Sequence, residues 1–224
     1  MIVYKAMIFD LDDTLLDRKQ AVDNMFSILL EDCYEDIKDI DKNKMLKKFK
    51  EYDKRSYGNS DKTKVLEPFF DEFPTKYRMP SNKMLDFWNT NFPHSFSVNQ
   101  NTINIVNAIK MHVKVAIITK GTTQRQRAKI SNTNLNSCFD KIIISEEVGF
   151  SKPDERIFEL ALNELKVRPE DVLFVGDDLQ KDIAGCQNVN IKGIWFNPLM
   201  IKNSTDIKPY DEINSLDQLL NYFI

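Results

Sequence analysis

Glycine is scarce in this chain, six residues in 224, and five of them (Gly121, Gly149, Gly176, Gly185 and Gly193) fall in the second half. At that density each glycine marks a backbone demand rather than composition. Cysteine is rarer still. Cys33, Cys138 and Cys186 are odd in number, far apart and without a Cys-x-x-Cys spacing, so they imply neither a disulfide framework nor a zinc site. No apolar run reaches the length of a membrane span, and no charged-then-apolar leader precedes the first strand. The expectation is a cytoplasmic protein in a reducing compartment with no membrane partner. An excess of one charge is also missing. The net charge is −3 and the pI about 5.5, which argues against nucleic acid as a partner. The lysines between Lys42 and Lys54 are interleaved with acids, as on a solvated helix face. What remains is an ordinary globular composition, 42% hydrophobic and 29% charged, with length for one full domain and a smaller insert. Nothing in the sequence fixes the oligomeric state; monomer and homodimer both stay open.

The chain is organised around its first strand. Ile2-Val3-Tyr4 and Ala6 to Phe9 have the β-branched and aromatic content of a buried strand. The run then breaks into Asp10-Leu11-Asp12-Asp13-Thr14-Leu15-Leu16. In an open α/β sheet, reacting groups lie beyond the carboxyl ends of strands. Asp10 and Asp12 leave the strand two apart and can face one small volume, where their charges repel unless a cation or a shared proton relieves them. Mg²⁺ suits such a site, because it prefers oxygen ligands and keeps waters that a phosphate can replace. A calcium loop is excluded: counted from Asp10, its required Gly and Glu positions hold Leu15 and Ala21.

Residues 17–94 then read as helices only, at 19–32, 42–57 and 63–77, and from Ser81, expected to be a cap. Four helices without a strand cannot belong to an alternating sheet, so they are read as an inserted bundle. Phe69, Phe70, Phe73, Phe87 and Trp88 are its expected core. Asn91 to Ser97 is read as the hinge back. From 95 onward strands and helices alternate: helix 99–111, strand 113–119, helix 122–133, strand 141–144, helix 154–166, strand 172–175, helix 179–188, strand 191–196 and a last helix at about 214–223. This alternation calls for right-handed crossovers and a parallel sheet. The polar stretch Asn197 to Asp211 is read as irregular.

Three of these strand or helix ends carry polar groups. Thr119 closes one strand and is followed by Lys120-Gly121-Thr122, where a starting helix could hold a phosphate. Lys120 either adds charge toward that site or is simply exposed. Ser151-Lys152-Pro153-Asp154 opens a helix, with Pro153 expected in its first turn. Gly176-Asp177-Asp178-Leu179-Gln180-Lys181-Asp182 follows an apolar strand.

These four stretches, in this order, resemble motifs I to IV of the haloacid dehalogenase-like hydrolases. Lys120 replaces the Asn found in many relatives. The resemblance is close over 1–18 and 95–224 and extends to the insert only in position and character; the core is read as 1–16 with 95–224 and the insert as 17–94. It implies a Rossmann-like catalytic core with a helical cap, and a Mg²⁺-dependent phosphatase acting on a small phosphate ester. Asp10 would be the nucleophile and Asp12 the acid and base. Thr119 and Lys152 would hold the phosphoryl oxygens, with Lys120 and Gly121 beside them. The metal would lie on Asp10, the Asp12 carbonyl and Asp177, with Asp182 in support, and Asp178 is an alternative ligand. Thr14 would fix the loop. Past this motif, Asp17 and Arg18 enter the insert and could approach substrate; Arg18 could equally be a surface residue, which is the reading favoured here.

The same resemblance admits rival readings. A haloalkanoate dehalogenase uses the same nucleophile but needs neither metal nor an acid at Asp12. A phosphosugar mutase shares all four motifs. A phosphonate-cleaving relative needs a lysine in the insert, and none stands out. A silent binding protein would be expected to have lost one of Asp10, Asp12, Lys152 or Asp177. Among phosphatases, the nucleoside 5′-monophosphate and sugar phosphate branch fits best.

Overall fold

The computed structural model describes residues 4–35 and 41–223; the Ile2-Val3 part of the expected first strand lies outside them. The fold is α/β and Rossmann-like, around a six-stranded parallel sheet in the order β3-β2-β1-β4-β5-β6. The strands are β1 (Ala6–Phe9), β2 (Lys114–Thr119), β3 (Lys141–Ile144), β4 (Val172–Gly176), β5 (Lys192–Phe196) and β6 (Asp211–Ile213). The central strand, β1, is wholly buried, with Phe9 in register with Ile117 of β2 on one side and Val175 of β4 on the other. The chain builds outward from β1 through β2 and β3, then returns to add β4 on its other side. That reversal opens a crevice at the carboxyl end of β1, the usual seat of a ligand in such sheets.

The chain divides into two compact units, Met1–Asp17 with Val98–Ile224, and Arg18–Ser97. In the first, Ile8, Ala116, Ile118 and Phe174 meet Ile157, Phe158 and Ala161 of the helix Glu155–Leu165 in one buried cluster. The second unit holds α1 (Arg18–Cys33), α2 (Lys42–Arg55), α3 (Thr63–Glu72) and α4 (Ser81–His94). The remaining helices of the sheet unit are α5 (Gln100–Lys110), α6 (Thr123–Asn132), α7 (Ser145–Val148), α8 (Glu155–Leu165) and α9 (Gly185–Gln187).

Several sequence expectations need correction. α3 stops at Glu72 rather than 77, because Pro74 disfavours helical backbone at Phe73. Ser81 is the first residue of α4, not its cap; Pro80 occupies that position without a side-chain bond. The expected hinge from Asn91 is mostly helix, since α4 runs to His94. Residues 179–188 form wide π-type turns over Leu179–Ala184 before the short α9. The irregular stretch leads into an edge strand, β6, whose exposed Asp211 and Glu212 hide it from any hydrophobic pattern. Beyond β6 lies a 3₁₀ segment, Leu216–Tyr222, closed by a Ser215–Gln218 capping box.

In the helical unit Phe69, Phe70 and Trp88 are buried as expected, joined by Phe26 and Phe49, while Phe73 and Phe87 are only half-buried. The Phe26, Phe49 and Trp88 rings meet around Phe49 at centroid separations of 5.6 and 6.0 Å. Arg18 is not a surface residue: its guanidinium lies 2.7 Å from the buried Asp53 and stacks over Tyr57 and Phe92. A lysine does stand out here. Lys62 is 4% exposed, donates to the Ser56 carbonyl at 2.9 Å and lies 3.8 Å from Asp53.

Candidate active site

The loop after β1 is tightly built. The Asp10 N–H extends the sheet pairing to the Val175 carbonyl at 2.9 Å, which sets Asp10 beside the end of β4. Leu15 and Leu16 both donate back to the Leu11 carbonyl, and Asp13 donates to Leu16. Asp13 takes a left-handed conformation (φ 61°), one that aspartate tolerates better than most residues.

Asp10, Asp177 and Asp182 form the heart of the site. One carboxylate oxygen from each lies within 4.8 Å of the others, a set of hard oxygen donors suited to Mg²⁺. Lys152 stands among them, 4% exposed, with Nζ 2.5 Å from Asp10 and 2.7 Å from Asp182. Burial disfavours the Lys152 ammonium, but the Asp10 and Asp182 carboxylates outweigh it and raise its pKa. Burial is also the main force pushing Asp10 up to about 7, with Lys152 opposing and Asp182 adding to the rise. Asp177 is pushed up to about 8, first by burial and then by Asp10, Asp182 and Asp13. Three carboxylates around one ammonium are short of positive charge, and a divalent cation would relieve that shortage.

The β4 loop explains which acids point inward. Asp182 Oδ2 accepts from the Asp178 N–H at 3.1 Å, closing the turn. The Trp195 indole donates to the Asp177 carbonyl at 2.9 Å and pins the loop from β5. A Cβ at Gly176 would stand 2.6 Å from Asp182 Cβ, so only glycine leaves that carboxylate its place. Asp178 does not join the acids. Its carboxylate accepts from the Gln180 and Lys181 N–H groups at 3.0 and 2.9 Å as the cap of the π-type turns, and pairs with the Lys181 ammonium. Thr14 is buried and donates to Asp177 Oδ1 at 3.4 Å, so it touches the acid itself.

Thr119 is buried, whereas Lys120 is exposed. The Gly121 N–H is taken by the Ser145 hydroxyl at 3.1 Å, and the Thr123 N–H by Glu146 at 2.7 Å. The start of α6 is thus bonded to α7, a helix the sequence pattern did not reveal. Pro153 lies before α8 rather than in its first turn, since Asp154 is the cap and accepts from the Arg156 N–H.

The Asp12 carboxylate is not one of the three grouped acids. It is held by Lys129, at 2.8 and 2.7 Å, and approached by Gln126 at 3.4 Å. Neither residue was singled out by sequence. The signal was available: in the polar helix α6, the inward face holds Gln126, Lys129 and Ile130, where apolar residues are the rule.

A family model described as haloacid dehalogenase-like hydrolase matches residues 7–196. The glyceraldehyde 3-phosphate phosphatase of Methanothermobacter thermautotrophicus is 28% identical, covering 96% of this chain and 99% of that protein. Pyrimidine 5′-nucleotidase PynA of Streptococcus pneumoniae is 27% identical, covering 97% and 94%. Among solved structures, YfnB of Bacillus subtilis bound to magnesium superposes with a TM-score of 0.82 at 23% identity, covering 99% of this chain and 100% of that one. With the family model spanning most of the chain and the acids gathered at the strand ends, this protein belongs to the haloacid dehalogenase-like hydrolases.

Proposed function

We propose that the protein is a Mg²⁺-dependent phosphomonoester hydrolase working through an aspartyl-phosphate. The observation that carries this reading is Lys152, buried between Asp10 and Asp182 with the Asp177 carboxylate alongside. Mg²⁺ held by Asp10, the Asp12 carbonyl and Asp177, with Asp182 in reach, would shield the nucleophile and take up charge on the transferring group.

In this mechanism an Asp10 carboxylate oxygen attacks phosphorus, and the bond from phosphorus to the leaving oxygen breaks. The leaving oxygen takes its proton from Asp12, which then removes a proton from the water that cleaves the aspartyl-phosphate. Lys152 and the Thr119 hydroxyl hold the phosphoryl oxygens. The unit Arg18–Ser97 would serve as a lid that selects substrate and excludes water. The magnesium-bound YfnB crystal, described as revealing interdomain movement, supports such a role. The named relatives act on glyceraldehyde 3-phosphate and on pyrimidine nucleotides, so a small sugar phosphate or nucleoside 5′-monophosphate is the substrate class.

The test is phosphate release from nucleoside monophosphates, sugar phosphates and p-nitrophenyl phosphate, with Mg²⁺ and with EDTA. Release is expected to need Mg²⁺ and to fall by at least ~10³-fold in Asp10→Asn, since the covalent route is lost. Activity surviving in that variant would overturn the mechanism.

A further inference from the structure

We propose that Lys129 and Gln126 of α6 are positioning residues that hold Asp12 for proton transfer and keep it out of the metal-binding acids. The inference rests on the phosphatase reading above. It starts from an unusual burial: Lys129 is 3% exposed and Gln126 is 2% exposed, on a helix whose sequence, TQRQRAKISN, is almost wholly polar. Placing an ammonium and an amide there is costly unless each is engaged. Both are engaged by the site.

Lys129 Nζ meets both Asp12 oxygens, at 2.8 and 2.7 Å. Gln126 Nε2 donates to the Thr119 hydroxyl at 2.5 Å and reaches Asp12 Oδ2 at 3.4 Å. One amide therefore touches the phosphate-holding residue and the acid together. Because Thr119 Oγ1 accepts from Gln126, its own proton is directed elsewhere and is available to a phosphoryl oxygen. The two residues are one helical turn apart and share a face. Their helix is fixed at its start by the Thr122 cap and the Glu146 bond to the Thr123 N–H. A Cβ on Gly121 would stand 2.9 Å from Gln126 Cγ, so the bare glycine makes room for the amide.

The consequence is a division of labour about β1. Asp177 and Asp182 approach Asp10 from β4 and the turns after it, whereas Asp12 is drawn to the β2 and α6 side. Among the described residues, the three-acid group does not include Asp12. Without Lys129, the Asp12 carboxylate would lose its bidentate anchor and the fixed direction along which it delivers a proton.

The experiment compares kcat/KM for two esters within each variant. An alkyl ester such as glycerol 1-phosphate needs its leaving oxygen protonated, whereas p-nitrophenolate leaves readily without a proton. The ratio for one sample does not depend on how much of it is folded. Lys129→Met is expected to lower the alkyl rate at least ~10-fold more than the p-nitrophenyl rate, part of the roughly 10²–10⁴-fold that a positioned acid supplies. Lys129→Arg should restore much of the ratio, because its fork also engages both carboxylate oxygens. The double variant Lys129→Met/Asp12→Asn should be no worse on the alkyl ester than Asp12→Asn alone, as expected of residues acting as a unit. Lys129→Gln gives the same reading by a second route should the methionine variant not fold. Equal loss on both esters, or an additive double variant, in a wild type that hydrolyses both would overturn this inference and leave the phosphatase intact. A wild type that hydrolyses neither ester would overturn the phosphatase reading first.

Discussion

Each unit buries a cluster of charges, and the two clusters are built to opposite ends. In the helical unit Asp53, 3% exposed, takes Arg18 at 2.7 Å and Lys62 at 3.8 Å, amid Trp88, Tyr57 and Phe92. Cation and anion answer one another there, and the aromatic faces add to the cations' surroundings. In the sheet unit Asp10, Asp177 and Asp182 crowd one Lys152. In the first, one anion is answered by two cations; in the second, three anions share one cation and are short of positive charge. A buried anion that is fully paired serves structure, and a group of anions left short of positive charge is a place for a cation.

The sharpest way to break this comparison is to remove the central charge of each cluster and read activity and stability together. Lys152→Met should cut phosphatase kcat/KM by about 10³-fold or more if, as proposed, its charge holds the transferring group. Assay of phosphate release checks this. Asp53→Asn should instead cost about 3–5 kcal/mol of stability, the usual penalty for breaking a buried pair. Urea unfolding of the folded variant measures it, and activity scaled to folded protein should change far less. If Asp53→Asn matched Lys152→Met in lost catalysis without loss of stability, the division between the clusters would fail.

Proton linkage gives a smaller and more discriminating effect. Asp10 and Asp177 have pKa values raised to about 7 and about 8 in the metal-free fold, above their unfolded values. Between pH of about 4 and 8 the folded state then binds more protons than the unfolded one, so metal-free stability should fall as pH rises through that window. Mg²⁺ must displace those protons, so its affinity should rise with pH and level off above about 8. Thermal unfolding with EDTA and with Mg²⁺ across this range should show the two curves separating as pH increases. A constant separation would remove the link between the raised acids and the metal.

The same contrast explains what could be read from the sequence. The sheet unit announces itself because strands end abruptly in rare polar residues: Asp10, Thr119 and Asp177 all follow apolar runs. Its parallel order followed from the alternation after residue 95. Residues whose role depends on a neighbour far along the chain were silent. Lys129 meets Asp12 across 117 positions, and Ser145 meets Gly121 across 24; no local pattern records either pairing. β6 was hidden because an exposed edge strand needs no apolar face. In the helical unit the periodicity showed helices, but the burial of Arg18 and Lys62 depends on Asp53, a residue indistinguishable in sequence from the solvated acids around it.

Gly176 has a consequence for how this sequence can change over time. Any side chain there would occupy the space of Asp182, and shrinking Asp182 to make room would remove an acid from the site. Neither position can drift alone, and no single exchange at one is repaired by a single exchange at the other that keeps the carboxylate. At this turn the two letters stand together, or the carboxylate loses its place.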